Sequence, residues 1–218
     1  MIIDKKIHSL EEQAYFTLED EILSGRLKRG DILTENSLSV RLGVSRTPLR
    51  VALHRLAEEG LIDISPNKGA IVVGIVREDL IDIYKIRMRL EGLASAEAAR
   101  KISEEDKAKL RDSVELAEFY IAKRDSEHLK ELDSEFHSII YKACGNRPLC
   151  KILSDLHRNI RIYRKRSLMV EDRIEKSVLE HKEILAAIER GDADEADRLT
   201  ALHIQSALQN LLMMTDDL

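Results

Sequence analysis

Residues 34–69 constrain the fold more than any other part of the sequence. Leu38 and Leu42 have the spacing of one helical face, and Gly43 follows them as a residue that readily takes the left-handed conformation that ends a helix. Ser45 is a suitable N-cap for a next helix, because its hydroxyl can accept hydrogen bonds from the first amides. The pattern therefore predicts two short helices joined by a tight turn.

The second predicted helix separates a buried side from a charged side. Leu49, Leu53 and Leu56 form an apolar stripe, whereas Arg46 and Arg50 share a different face. Helices of this kind can pack on a domain through one side and present the other to a partner. A pair of arginines on a solvated surface is the alternative interpretation.

A short hairpin is predicted directly after this helix. Residues 61–64 and 70–73 are rich in β-forming side chains, and the sequence Ser-Pro-Asn-Lys-Gly separates them. Lys68 and Gly69 fall at the tip of the hairpin. Two helices followed by such a hairpin indicate a winged helix-turn-helix.

The charge of this region favours DNA as the partner. The whole chain has a net charge of −5, but residues 26–55 hold seven cations and two anions, a local charge of +5. A basic patch confined to one element is typical of a modular DNA reader. Only 4% of the residues are aromatic and none is Trp, which disfavours stacking on single strands or RNA. Duplex DNA is the expected nucleic acid.

The same region resembles a known family. The pattern L-x-E-x-x-L-x-x-x-L-G-V-S-R-T-P-x-R-x-A-L-x-x-L-x-x-E-G-L, followed by a glycine-containing wing, is similar to the N-terminal domain of GntR-type bacterial transcriptional regulators. The resemblance implies a homodimer on a palindromic operator, with the start of the recognition helix in the major groove and the wing tip at the minor groove. It assigns DNA contacts to Ser45, Arg46, Thr47, Arg50, Lys68 and Gly69. Two positions depart from the family: Val51 replaces the usual Glu, and Arg29 replaces a common Pro.

The rest of the chain is predicted to be helical. β-rich sequence ends near residue 75, so we expect a DNA-binding domain at residues 1–75 and a helical effector-binding and dimerisation domain at residues 76–218. A first helix is expected at residues 9–25 and a later one, with a possible bend at Gly92, at residues 79–101. The other helices are expected at residues 103–123, 125–145, from Pro148, 171–190 and 192–214. The predicted fold class is mainly α.

Four residues in the helical half have the chemistry of a metal site. Asp133 and His137 are four residues apart, so a helix projects both from one face. His181 precedes Gly191 by ten residues and His203 follows it by twelve, so an antiparallel hairpin brings the two imidazoles level. Three imidazoles and one carboxylate suit Zn(II), Ni(II), Co(II), Mn(II) or Fe(II). A surface Asp-His hydrogen bond and unrelated histidines are the alternative.

A second resemblance bears on this half. Asp-Ser-Glu-Phe-His at 133–137, Gly-Asn at 145–146, Glu-His at 180–181 and His203 are similar to the FCD-type effector domain of the FadR-like branch. This implies an all-α bundle of six or seven helices in which the Asp and three His hold a divalent metal, with Zn the first choice, beneath a pocket for a small organic acid. Arg87 matches a position that the family uses and is a candidate for the effector carboxylate. Its alternative is an i, i+4 ion pair with Glu91.

The expected function is a DNA-binding transcriptional regulator, with repressor the commoner case by resemblance, whose operator binding a small carboxylate controls. A metal-dependent hydrolase or other metalloenzyme that uses the bundle site is the alternative, but a catalytic metal-activated water would need a general acid or base beside it. Glu135 and Glu180 turn away from the neighbouring ligands on their helices. The chain is therefore not expected to be an enzyme. A ligand-free architectural DNA protein remains a third class.

The remaining features are assigned no function. No segment approaches the roughly 20 apolar residues of a membrane span and the N-terminus lacks a signal peptide, so a cytoplasmic location is expected. Cys144 and Cys150 are expected to be free thiols. Four further histidines are expected to be ordinary surface residues: His8, His54, His128 and His157.

Overall fold

A computed structural model describes residues 9–65, 69–74, 77–160 and 173–214. The chain divides into two compact units, Met1–Val76 and Arg77–Leu218. The first holds short helices and a small sheet, and the second is helical throughout its described residues. The expected fold class, mainly α with a small sheet in the N-terminal part, is confirmed.

The N-terminal unit packs three helices against a three-stranded antiparallel sheet. Strand order in the sheet is β1-β3-β2, and Ile64 of β2 pairs with Ala70 of β3. The interior comes mainly from α1 and α3, where Leu18, Leu49 and Leu56 are fully buried. The elements are α1 (Leu10–Leu23), β1 (Ile32–Leu33), α2 (Glu35–Leu42), α3 (Arg46–Glu58), β2 (Ile62–Ser65) and β3 (Gly69–Val72).

The turn between α2 and α3 has the expected backbone, but one expected cap is absent. Gly43 ends α2 with a φ of 67°, the left-handed conformation that favours glycine. Ser45 occupies the N-cap position of α3, yet its side chain accepts no capping hydrogen bond. An N-cap oxygen accepts from the second or third amide of a helix, and the third residue of α3 is Pro48, which has no N–H. The predicted cap was therefore wrong because the proline removes one of its two donors.

Six described helices form the C-terminal unit. Three of them start with a side-chain cap, provided by Ser103, Asp125 and Asn146, each of which accepts from the amide three residues later. The unit's interior is a shared apolar core that includes Ala98, Phe136 and Ile184. The helices are α4 (Arg77–Lys101), α5 (Glu104–Lys123), α6 (Ser126–Ala143), α7 (Arg147–Asn159), α8 (Arg173–Glu189) and α9 (Ala193–Met214).

Helix α4 runs unbroken through Gly92, where the sequence suggested a bend. A Cβ at this glycine would lie 1.9 Å from Asp197 Oδ1 and 3.2 Å from the Asp197 carbonyl oxygen. Gly92 therefore allows α4 and α9 to approach closely, which is a packing role. No helix within the described ranges has the length and apolar character needed to cross a membrane.

Candidate metal centre and nucleic-acid interface

Asp133, His137, His181 and His203 lie together inside the helical bundle. One ligand atom from each residue can be chosen so that all four atoms lie within 4.8 Å of one another. Helix α6 contributes the first two residues from one face, whereas α8 and α9, joined around Gly191, contribute one histidine each. The three imidazoles are buried, and the carboxylate is nearly so. The spacing in the sequence accounts for the two pairs, Asp133 with His137 and His181 with His203, and the packing of α6 against α8 and α9 brings the pairs together.

Two imidazoles of the cluster face each other through their Nε2 atoms. The Nε2 atoms of His137 and His203 are 3.3 Å apart. The opposite nitrogen of each ring faces a carboxylate: His137 Nδ1 lies 3.0 Å from Glu91 Oε2, and His203 Nδ1 lies 2.7 Å from Glu180 Oε2. An ionised carboxylate only accepts hydrogen bonds, so the hydrogen bond to Glu180 favours the His203 tautomer with the proton on Nδ1, and the nearby charge of Glu91 acts on His137 in the same sense. With that tautomer on both rings, the Nε2 atoms direct lone pairs at the same point, where a cation would satisfy them.

The third histidine is held by stacking. The ring of His181 lies on that of Phe136, with centroids 4.1 Å apart and an interplanar angle of 11°. Its Nε2 atom is 3.7 Å from Asp133 Oδ1. A cavity of about 10 Å³, enough for one water-sized particle, borders Asp133, Phe136 and His181. Three imidazole nitrogens and one carboxylate oxygen form a donor set that fits a first-row divalent metal ion.

Buried arginines support both glutamates behind the histidines. Arg173 Nη1 donates to Glu180 Oε2 at 2.8 Å, and Arg87 Nε donates to Glu91 Oε1 at 2.6 Å. Burial alone would raise the pKa of Glu180, but the hydrogen bond from His203 and the charge of Arg173 outweigh it and lower the pKa. Glu180 is therefore ionised at neutral pH and can hold the Nδ1 proton of its histidine.

Arg87 forms the i, i+4 ion pair with Glu91 that was the alternative interpretation of this arginine from the sequence. Both Arg87 and Glu91 are 1% exposed. Burial alone would lower the pKa of the Arg87 guanidinium, but the charge of Glu91 outweighs it and raises the pKa. The guanidinium carbon lies 4.7 Å from the ring centroid of Tyr84, and Nη1 is buried without a hydrogen-bond partner among the described residues. The ion pair with Glu91 thus leaves one buried donor of Arg87 without an acceptor in the described part of the chain.

One side of α6 contributes to a neighbouring pocket that the sequence analysis missed. The pocket has a volume of about 280 Å³. His157 was expected to be an ordinary surface residue, but it is half-buried and its ring centroid is 5.9 Å from that of His137. Tyr141 Oη lies 3.4 Å from His157 Nδ1. The sequence contained a signal for this pocket: Ser134, Ser138 and Tyr141 have i, i+4, i+7 spacing and form a polar stripe on α6 next to the two metal-ligand candidates of that helix. The lining residues are Ser134, Ser138, Tyr141, Ser154, His157 and Arg158.

In the N-terminal unit, the residues assigned to DNA lie at the start of α3 and in the wing. Ser45, Arg46, Thr47 and Arg50 are all exposed. The two arginines are oriented by the start of α2, since Arg46 Nη2 donates to Asn36 Oδ1 at 2.6 Å and Arg50 Nε donates to Glu35 Oε1 at 2.7 Å.

Of the two wing residues, Lys68 lies outside the described residues. Gly69 begins β3 with a φ of 85°, in the left-handed region that favours glycine. A Cβ at this position would lie 2.9 Å from the Leu33 carbonyl oxygen. The close approach of β1 therefore requires a glycine here, whether or not it contacts DNA.

Family models match both parts of the chain. Residues 10–72 match the model described as bacterial regulatory proteins, gntR family, and residues 82–206 match the FCD domain. The second match alone covers more than half of the sequence.

Curated relatives are regulators by name. The chain is 27% identical to the uncharacterized HTH-type transcriptional regulator YdhC of Bacillus subtilis, over 91% of this chain and 89% of that protein. It is 26% identical to the HTH-type transcriptional repressor RspR of Escherichia coli, over 93% and 89%. The gluconate operon transcriptional repressor of Bacillus subtilis is 32% identical over 65% of this chain and 58% of its own length.

Solved structures share the fold. Escherichia coli McbR/YncC superposes with a TM-score of 0.75 at 24% identity, covering 96% of this chain and all of that one. Listeria monocytogenes Lar gives a TM-score of 0.71 at 19% identity, with 96% and 100% coverage.

Proposed function

Because the chain belongs to the GntR family of bacterial regulatory proteins and carries an FCD domain, it is a transcriptional regulator, and we propose that a small carboxylate bound at a divalent metal controls its operator binding. The observation that carries the proposal is the convergence of the Nε2 atoms of His137 and His203, each with its Nδ1 atom beside a carboxylate. When both rings carry their proton on Nδ1, the two Nε2 lone pairs face each other, and a cation between them is the favourable arrangement.

The proposed metal site consists of Asp133, His137, His181 and His203. Zn(II) is the first choice, and Ni(II), Co(II), Mn(II) and Fe(II) suit the same donors. A divalent ion there would supply positive charge and a coordination position for a carboxylate oxygen. The chain's own contribution is orientation, because Glu180 hydrogen-bonds Nδ1 of His203 and the carboxylate of Glu91 lies beside Nδ1 of His137, which favours the tautomer that binds through Nε2.

The proposed effector is a small organic acid. Arg87 is the first candidate for a second contact to its carboxylate, since its Nη1 atom has no hydrogen-bond partner within the described part of the chain. The neighbouring pocket of about 280 Å³ offers hydroxyls from Ser134, Ser138 and Tyr141 to further polar groups of the ligand. The name of the gluconate operon repressor supports an organic acid pathway as the regulated target.

On the DNA side, we propose a homodimer that places two α3 helices on the half-sites of a palindromic operator. Arg46 and Arg50 would contact base edges or phosphates, together with Ser45 and Thr47, while Lys68 and Gly69 at the wing approach the minor groove. Binding of the acid would shift the affinity for DNA by a coupling free energy of about 1 to 3 kcal/mol. Repression is the proposed mode, in keeping with the relatives that are named repressors.

Metal analysis joined to operator binding tests this function. Purified wild-type protein should contain close to one divalent ion per chain, and the His137→Ala protein should contain much less. Small carboxylates are then screened by thermal shift on metal-loaded protein, because a ligand that binds only the folded state raises the Tm. Each hit should change the affinity for a selected operator. Equal metal content in both proteins, or hits without any effect on DNA binding, would contradict the proposal.

A further inference from the structure

The exposed face of α3 includes one apolar side chain. At about 100° per residue, six exposed residues of this helix cover an arc of about 140°. The arc lies opposite the buried Leu49 and Leu56. The exposed residues are Arg46, Thr47, Arg50, Val51, His54 and Glu58. Val51 is 48% exposed, whereas the other five side chains are polar.

The stability of the N-terminal unit does not explain why residue 51 is a valine. β-branched residues are poorer helix formers than Ala, Glu or Lys, because the helix restricts their χ1 rotamers. Since nearly half of Val51 remains in contact with solvent, its burial offsets little of this cost. Local choices that disagree with the rules of stability are expected at functional positions.

We propose that Val51 reads a thymine in the operator by contacting its 5-methyl group in the major groove. The inference rests on the proposed role of α3 as the recognition helix. The thymine methyl is the apolar group that base edges present in the major groove. Val51 lies one helical turn after Thr47 and next to Arg50, so it extends the same face toward the following base pair. Its side chain has essentially one rotamer in a helix, so little rotamer freedom is lost on contact.

The charge of the surroundings favours DNA as the occupant of this face over an apolar protein surface. Arg46 and Arg50 lie on the exposed side of helix α3, on the same side of Val51. The only acidic residue of this helix is Glu58, about two helical turns beyond Val51. The two cations complement the phosphates that line the major groove, and the half-exposed valine side chain complements a thymine methyl group on a base edge.

Deoxyuridine substitution tests the contact, since it removes only the methyl group and leaves base pairing intact. An operator is first selected from random duplexes with full-length, metal-loaded protein, and each thymine is then replaced singly. For the wild type, replacing the contacted thymine in one half-site should weaken binding about fourfold, the value of one buried methyl group. Because the proposed homodimer carries two copies of Val51, Val51→Ala should lose this factor twice, about 16-fold on the thymine operator, and should be insensitive to that replacement.

A second exposed valine provides the matched control. Val40 is 87% exposed on α2, so Val40→Ala should keep the wild-type response to every replacement. Ala is the better helix former, so both variants should retain the wild-type Tm. The inference is overturned if the Val51→Ala protein loses the same factor as the wild type at each thymine, or if no replacement affects the wild type. If no operator can be selected, the assignment of α3 as the recognition helix fails as well. If an operator is selected but the expected response to deoxyuridine is missing, only the role of Val51 fails.

Discussion

The Nε2 atoms of His137 and His203 lie 3.3 Å apart although they belong to helices α6 and α9. Each ring has a carboxylate oxygen near its other nitrogen, which favours the tautomer with the proton on Nδ1. With that tautomer on both rings, the two Nε2 lone pairs are directed at the same point, where a metal ion would satisfy them. Stability of the bundle and occupancy of the cluster should therefore be coupled.

Removal of the metal should lower the Tm of the wild-type protein. A free metal concentration of 100 times the Kd stabilises the folded state by about 2.7 kcal/mol, which corresponds to a shift of several degrees. Calorimetry with and without a chelator measures this shift. His181→Ala should show a much smaller response, and His128→Ala, an exposed histidine paired with Asp125, should respond like the wild type. An identical response in all three proteins would contradict the assignment.

Glu180→Gln should weaken metal binding by about 10- to 100-fold. The substitution keeps the size of the side chain but removes the charge that orients His203, and losses of this size are typical when such a partner is removed. Competition with a chromophoric chelator gives the affinity. Glu118→Gln is the control, because Glu118 forms an exposed ion pair with Lys182 on the surface of the same bundle. Unchanged affinity in Glu180→Gln would show that the glutamate has no orienting role.

Arg50→Ala and Arg46→Ala should each cost about 1 to 3 kcal/mol of specific operator affinity if the arginine pairs with a guanine. Arg198→Ala removes an equally exposed arginine from α9 and should have no effect. Titration of labelled operator at several salt concentrations separates loss of a base contact from loss of a phosphate contact, because only the latter reduces the salt slope. Full specific affinity in both variants would exclude α3 as the recognition helix.

Gly92→Ala should destabilise the helical bundle by about 1 to 3 kcal/mol, the usual cost of overpacking. The added Cβ collides with the Asp197 carboxylate, which can rotate away, but the Asp197 carbonyl oxygen at 3.2 Å cannot. Urea denaturation gives the free energy of unfolding. Adding Asp197→Ala should restore part of the loss, and Asp197→Ala alone should have a small effect. A Gly92→Ala protein as stable as the wild type would show that α4 and α9 can separate at little cost.

Tyr15 should make the N-terminal unit sensitive to alkaline pH. Burial and the hydrogen bonds to Glu59 and Glu19 raise the pKa of its hydroxyl well above the usual value of about 10. The folded state thus retains a proton that the unfolded chain loses. This stabilisation is fully present below about pH 10 and is lost as the pH rises above it. The stability difference between wild type and Tyr15→Phe should therefore shrink above about pH 10, and a constant difference would contradict the argument.

The sequence predicted the parts of the candidate site that depend on distance along the chain. Helical periodicity predicts that Asp133 and His137 share one face. His181 and His203 lie at the same level because their distances to Gly191, ten and twelve residues, are similar. Their supporting residues could not be found in this way. Glu91 meets His137 only because α4 packs on α6, and such a register between separate helices is set by side-chain packing across the whole core.

Local rules also failed where two of them competed. Ser45 has the right position and backbone for a cap, but Pro48 removes a donor that the cap would need. Glycine is rare within helices, so Gly92 suggests a bend when only the sequence is considered. The close approach of helix α9 at Asp197 explains the glycine instead. In both cases the deciding contact lies with another residue that a single-position rule does not consider.

The position of Glu91 within α4 means that a small tilt of the helix at this residue displaces the start of the helix. Glu91 lies 14 residues after Arg77, where the helix begins, which is about 21 Å along the axis. If the helix tilts by 5° about this point, its first residue moves by about 2 Å. A rotation of a few degrees next to His137 therefore moves the first residue of the helix by about 2 Å. A flexible loop in the same place would not transmit this rotation.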